Sequence, residues 1–140
     1  MIRRAGKNDW DEVMDIWLNA NIEAHSFIDE DYWRGNFDSV REIIPKAEVF
    51  VSENNGQVNG FIGLSDDYIE GIFVKSSERS KGIGTELLCA AKDEKDVLSL
   101  SVYKKNTKAV LFYQKADFEI TEQRTDENTL EEEYTMAWHR

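Results

Sequence analysis

Hydrophobic positions first recur with a helical period at Trp10, Val13, Met14 and Trp17, just after Asn8 and Asp9, either of which is suited to cap a helix N-terminus. Residues 2–5 before them read as a short strand. A second helical stretch, from about Asp29 to Ile44, carries Tyr32, Trp33, Phe37 and Val40 and is closed by Pro45. The pattern then changes to apolar runs broken by turn residues. "EVFVSENNGQVNGFIGLSDDYIEGIFVK" reads as three strands, with "NNG" turning between Val51 and Val58 and "SDD" between Leu64 and Ile69, so an antiparallel meander is expected. Glu86 to Lys95 is again helical, and "VLSLSVY" alternates as a strand. Asn106 is placed to cap a further helix, on which Ala109, Phe112, Tyr113 and Ala116 share a face. Residues 118–124 and 130–138 end the chain as two strands. The order is β-α-α-β-β-β-α-β-α-β-β, an α+β class with no repeat or linker, read as one domain over residues 1–140.

Charge narrows what such a domain binds. The formal net charge of -11 argues against nonspecific nucleic-acid binding, which needs a basic face. Yet Lys75, Arg79 and Lys81, then Lys104, Lys105, Lys108 and Lys115, cluster in two segments, whereas residues 117–134 hold eight acids and only Arg124. Local basicity in an acidic chain suits a polyanionic ligand. Cys89 is the only cysteine, so no intramolecular disulfide can form, and amid Leu87, Leu88, Ala90 and Ala91 it reads as a packing residue. "MIRRAGKNDW" has no apolar signal core and no run approaches membrane-spanning length, so a cytoplasmic location without membrane contact is expected. His25 and His139 are too far apart to form a metal cluster, and none is expected.

The first basic segment, "VKSSERSKGIGTELL", leads into a helical pattern. A Walker loop needs Lys-Ser or Lys-Thr after its second glycine, but Gly84 is followed by Thr85 and Glu86. A dinucleotide fingerprint starting at Gly82 needs a third glycine where Leu87 stands. What remains is a strand, a polar loop and a helix N-terminus whose free N–H groups and dipole favour an anion such as pyrophosphate, or else an ordinary glycine-rich turn.

Arg79-Ser80-Lys81-Gly82-Ile83-Gly84 resembles the R/Q-x-x-G-x-G/A acetyl-CoA signature of the GNAT N-acetyltransferases, and "LSVYKKNTKAVLFYQKADF" is similar to the next strand and helix of that family. The order of elements fits the GNAT arrangement over nearly the whole chain, which implies a mixed sheet of six or seven strands flanked by about four helices, splayed beside Val74. "IWLNANIEAHSFIDEDYWR" resembles a small bacterial subgroup linked to protein lysine acetylation. Two departures stand out: Ser80 replaces a frequent glycine, and Asp117 stands where glycine usually ends the helix, a place for a left-handed residue that Asp tolerates.

The resemblance implies acetyl transfer from acetyl-CoA, without a metal, to a primary amine. Backbone N–H groups of Arg79, Ser80, Lys81, Gly82, Ile83, Gly84 and Thr85 are expected to take the pyrophosphate, and main-chain groups of Ile72, Phe73 and Val74 the pantetheine arm, as an added strand would be held. Asn106 is implied as a pantetheine contact, with Ala109 and Phe112 beside it. Tyr113, by its residues alone an amphipathic core position, is implied as the general acid, because a phenol keeps its proton at neutral pH. Glu70 stands four residues before Val74, so strict alternation sets both on one strand face, where the family often places a base acting directly or through water. His25 and Tyr32 fall where the family builds its acceptor site. The acceptor is expected to be cationic: a protein lysine first, or a peptide N-terminus, a polyamine or an aminoglycoside. The protein is expected to be a monomer or homodimer, and a noncatalytic acyl-CoA sensor with the same fold is the competing reading.

Overall fold

The computed structural model describes residues 1–140. The short strand β1 (Ile2–Arg4) is followed by helices α1 (Trp10–Ala24) and α2 (Glu30–Ile43), then by the meander β2 (Glu48–Asn54), β3 (Gln57–Ser65) and β4 (Tyr68–Val74). Helix α3 (Ile83–Glu94), strand β5 (Val97–Tyr103), helix α4 (Thr107–Lys115) and the hairpin β6 (Glu119–Thr125) and β7 (Glu132–His139) complete the chain. The seven strands form one sheet in the order β1-β2-β3-β4-β5-β7-β6.

Local chemistry accounts for the joints. Asn55 and Gly56 both have positive φ, 54° and 76°, which is the twist a two-residue hairpin needs, and they join β2 to β3. Pro45 sits in a single 3-10 turn, Ile44–Lys46, that ends α2. Asp9 precedes α1, but its carboxylate does not cap that helix. It accepts the Gly6 N–H at 2.6 Å and both Arg3 Nη atoms at 2.7 and 3.0 Å, and the Arg3 guanidinium holds it below the usual carboxylate range. Helix α3 begins at Ile83, three residues before the expected Glu86. Its N-cap is Gly82 at φ 82°, a conformation glycine supplies without strain and without the capping hydroxyl or carboxylate that marks most helix starts.

Two apolar layers sandwich the sheet. Val13, Met14, Ile16 and Trp17 of α1 and Trp33 of α2 pack on Val49, Val51, Val58 and Phe61 of one face. Leu87, Leu88 and Ala91 of α3 and Val110 and Tyr113 of α4 pack on Ile62, Leu64, Ile69, Leu98, Leu100 and Met136 of the other. Leu87 is fully buried, which is worth about 1.5–3 kcal/mol for a side chain of that size. Cys89 lies on the outer face of α3 and is exposed, so its expected packing role is corrected: the inward stripe is Ile83, Leu87, Leu88 and Ala91.

The sheet does not close in its middle. β4 and β5 run parallel and pair only at Tyr68↔Ser99 and Ile69↔Leu100. Beyond these pairs the strands part. A bulge contributes: β3 pairs with β4 in one register from Gly60↔Val74 to Gly63↔Gly71 and in another from Leu64↔Ile69, leaving Glu70 without a partner. No helix is long and apolar enough to cross a membrane.

Candidate active site

The gap between β4 and β5 opens into a cavity of about 510 Å³. One wall is the free edge of β4. Lys75 N–H donates to the Asn59 carbonyl at 2.8 Å, so Asn59–Lys75 is a hydrogen-bonded pair of the antiparallel ladder, and Phe61–Phe73 and Gly63–Gly71 follow by alternation. Ile72 and Val74 therefore turn their N–H and C=O groups away from β3, toward the gap, where β5 no longer reaches them. Phe73, expected beside them as a main-chain contact, spends its backbone groups on β3, and its ring packs on Phe61 on the α1–α2 side.

The N-terminus of α3 forms a second wall. The first bond within that helix runs from Glu86 N–H to the Gly82 carbonyl at 3.0 Å, so the N–H groups of Ile83, Gly84 and Thr85 have no partner inside it. The loop before it is wound by two left-handed residues, Ser80 at φ 67° and Gly82 at φ 82°. Arg79 and Gly84 line the cavity, and a Cβ added at Gly84 would stand 3.5 Å from the Phe112 ring. Ser80, Lys81 and Gly82 are exposed outside the cavity, as is Thr85, and the Ile83 side chain is buried in the core, so what these residues offer a ligand is main chain. Lys81 is held by Glu78 at 2.8 Å, and Arg79 by Glu23 of α1 at 3.2 Å.

Helix α4 forms the third wall through Asn106, Ala109, Phe112 and Tyr113. Asn106 caps the helix as expected, its Oδ1 accepting the Ala109 N–H at 3.3 Å. Its Nδ2 lies 3.2 Å from His25 Nε2. Because Oδ1 faces the helix, the amide is the donor and Nε2 the acceptor, which puts the imidazole proton on Nδ1. His25 is 9% exposed, stacks on Trp33 with centroids 5.2 Å apart, and has a buried Nδ1 without a hydrogen-bond partner; burial pushes its pKa down to about 4. It lines the cavity as a neutral ring whose accepting lone pair is already engaged.

Tyr113 is 7% exposed, and burial raises its phenol above the ordinary tyrosine range. Its place is set by the end of α4. Asp117 adopts φ 72°, the left-handed conformation anticipated for it, and Phe118 N–H reaches back to the Tyr113 carbonyl at 3.0 Å.

Glu70 lies across the sheet from this wall. Gly63 shares its face with Val49 and Phe61, against α1 and α2, and a Cβ at Gly63 would stand 3.8 Å from the Glu70 Cβ. Ile72 and Val74 pack on the α3–α4 side. The expected common face for Glu70 and Val74 is thus corrected: the bulge inserts one residue and inverts the alternation. Glu70 is exposed and outside the cavity. Tyr32 is also outside it, half-buried against Trp33 with its phenol raised by burial and by Asp126 and Glu133.

The cavity also takes in Ala20, Glu23, Ala24 and Thr107, which sequence reasoning passed over. The spacing of Ala20, Glu23 and Ala24 on α1 was a usable signal, since these positions continue the stripe of Val13, Ile16 and Trp17 with residues small or polar enough to leave space beside it. No three His, Cys, Asp or Glu side chains come together as a metal-ligand group.

An unpaired strand edge, free N–H groups at a helix start, an apolar throat of Ile72, Val74, Ala109 and Phe112, and flanking Arg79, Lys105 and Lys108 fit a long ligand with an amide-bearing arm and a phosphate-bearing end, as acetyl-CoA is. Comparison with known proteins agrees. Residues 45–120 match the acetyltransferase (GNAT) domain family. The chain is 29% identical over 140 residues to the peptidyl-lysine N-acetyltransferase YiaC of Escherichia coli, covering 99% of this chain and 96% of that protein. It is 31% identical over 121 residues to the peptidyl-lysine N-acetyltransferase YjaB of the same organism, covering 86% and 82%. The solution structure of apo YjaB superposes with a TM-score of 0.87 at 28% identity, covering 99% and 96%. With the fold, the open strand edge and the family match in agreement, this chain belongs to the GNAT acetyltransferases and is an acetyl-CoA-dependent N-acetyltransferase.

Proposed function

We propose that the chain acetylates the side-chain amine of lysine in a protein acceptor, with Tyr113 as general acid and Glu70, directly or through a water, on the side of the base. The observation that carries this reading is the gap between β4 and β5. Tyr113 lines it from the α4 side, and the bulged Glu70 stands on the opposite sheet face. Acetyl-CoA supplies the activated acetyl thioester. The N–H groups of Ile72 and Val74 hold its arm as an added strand, with one of them set to polarise the acetyl carbonyl, while Asn106 contacts the arm and the first turn of α3 holds the pyrophosphate. Tyr113 keeps its proton at neutral pH and delivers it to the departing thiolate.

Support for a protein lysine comes from the names of the relatives and from the sheet face on which Glu70 lies. There, Tyr68, Ser99, Ala137 and Glu119 form one cross-strand row, and Ser101, Thr135 and Glu122 form the next. Glu70, Glu119 and Glu122 are exposed on this face, and Arg124, the basic residue among the strands β5, β6 and β7 there, is paired with Glu133 at 2.9 Å. An acidic floor of small side chains suits a basic extended segment, with Tyr32 at its border. Acids at the rim attract the lysine without burying it, since a deep acidic pocket would raise the amine pKa and hold back the attacking form. A cytoplasmic location goes with this reading.

Thiol release measured with lysine peptides, N-terminal amines, a polyamine and an aminoglycoside tests the assignment. Turnover is expected with lysine in a basic peptide and an acceptor KM that rises with salt. Turnover confined to the polyamine or aminoglycoside overturns the lysine reading, and acetyl-CoA binding without thiol release from any amine favours the noncatalytic sensor.

A further inference from the structure

The contact between His25 and Asn106 joins the end of α1 to the start of α4 at the cavity wall, over 81 residues of chain. Three geometric facts bear on it. Asn106 Oδ1 is committed to the Ala109 N–H, which fixes which end of the carboxamide faces His25. The imidazole is held as a plate, stacked on Trp33 at 27° and met edge-on by Tyr103 and Phe27 with centroids 5.2 and 5.7 Å away. Both residues line the cavity.

A planar amide has two N–H donors. With one taken by Nε2 and the carbonyl taken by the helix cap, a single N–H is left, and its direction is set. We propose that His25 is a positioning residue for acetyl transfer, acting through Asn106: by accepting one Nδ2–H it locks the carboxamide so that the other is presented to an acceptor group on the cofactor arm. The inference rests on the reading of Asn106 as a cofactor contact and adds a role for His25 distinct from acceptor binding. Without the imidazole the helix cap alone holds the carboxamide, and the remaining Nδ2–H loses the second anchor that fixes its direction.

Steady-state kinetics of His25→Leu, His25→Gln, Asn106→Ala and the double variant His25→Leu/Asn106→Ala test this. His25→Leu is expected to raise the acetyl-CoA KM by about tenfold, on the scale of one lost hydrogen bond, with the acceptor KM unchanged. His25→Gln, whose Oε1 accepts the same N–H, is expected to recover most of the loss. In the Asn106→Ala background, His25→Leu should have no further effect. Equal defects in the Leu and Gln variants, additive effects, or a change confined to the acceptor KM would each overturn the proposal. If Asn106→Ala raises the acetyl-CoA KM while the His25 variants do not, only the role of His25 falls; an unchanged KM in Asn106→Ala removes the cofactor reading of Asn106 and the inference with it. Should the Leu variant fail to fold, nitrogen-15 NMR of the wild-type protein decides. The Nδ1–H tautomer of His25 is expected, and an Nε2–H tautomer is incompatible with the contact.

Discussion

Phe118 N–H donates to the Tyr113 carbonyl at 3.0 Å while their rings meet edge-on, with centroids 5.5 Å apart. Together with the Asp117 N–H on the Gln114 carbonyl at 3.1 Å, this is a Schellman closure of α4, and it ties the proposed acid to a residue that is 2% exposed in the core. The left-handed residue that closes it is Asp117 at φ 72°, exposed and carrying a Cβ that glycine would lack. Asp117→Gly is expected to stabilise the protein by up to about 1 kcal/mol, and Asp117→Val to destabilise it by a similar amount or more. Urea midpoints of the three proteins check this; a Gly variant less stable than the wild type would show that Asp117 contributes something beyond its backbone conformation.

Tyr113→Phe keeps the packing against Phe112 and Phe118 and removes only the hydroxyl that carries the proton. The expected result is a fall in kcat of about 10²–10⁴-fold with acetyl-CoA affinity, read by calorimetry, nearly unchanged. Because burial holds the phenol above its ordinary range, the wild-type kcat should show no loss attributable to Tyr113 until the pH exceeds that of a free tyrosine. An unaltered kcat in the Phe variant would assign the proton to another donor.

Glu70→Gln should lower kcat and shift its pH profile, since a base acts in the chemical step, while leaving the acetyl-CoA KM alone, Glu70 being outside the cavity. A change in acetyl-CoA KM with constant kcat would contradict the assignment of Glu70 to the acceptor face.

If the Arg79 guanidinium takes a cofactor phosphate, as proposed for this segment, its ion pair with Glu23 competes with that contact. Both side chains are 45% exposed and 3.2 Å apart at the cavity wall. Glu23→Gln is expected to lower the acetyl-CoA KM at low ionic strength, and the difference should shrink as salt screens both proteins. A raised KM would mean that Glu23 serves the cofactor by orienting Arg79.

Acid sensitivity should bear the mark of His25. In the unfolded chain the imidazole takes a proton near pH 6.5; in the folded protein it resists until about 4, because burial disfavours the charged form. Above that interval the residue is neutral in both states. As the pH falls through it, only the unfolded state gains a proton, so stability drops, by about 3 kcal/mol in all, and below it His25 contributes no further loss. Asp9 and Asp126, both held below the usual carboxylate range, add their losses at lower pH. The same interval measured on His25→Gln should be nearly flat, and a wild-type slope retained in that variant would locate the titration elsewhere.

The sequence by itself determined the features whose causes are local. The two-residue turn at Asn55 and Gly56, the cap at Asn106, the stop at Pro45 and the succession of eleven strands and helices each follow from a few neighbouring side chains and their backbone preferences. The resemblance of the segment from Arg79 to Gly84 added the chemistry. Tertiary structure decided everything that depends on pairing between distant segments. The bulge at Glu70 exists only because β3 pairs on both sides of it in different registers, and one inserted residue moves a side chain to the other sheet face, which strict alternation cannot foresee. Helix α3 starts at a glycine because the loop before it winds through two positive φ angles. Cys89 faces outward because the angular phase of α3 is set by the sheet beneath it rather than by the apolar residues beside it. His25 meets Asn106 for the same reason: no local signal joins residues 81 positions apart, and only the placement of the end of α1 and the start of α4 at the open part of the sheet brings an imidazole lone pair to an amide proton.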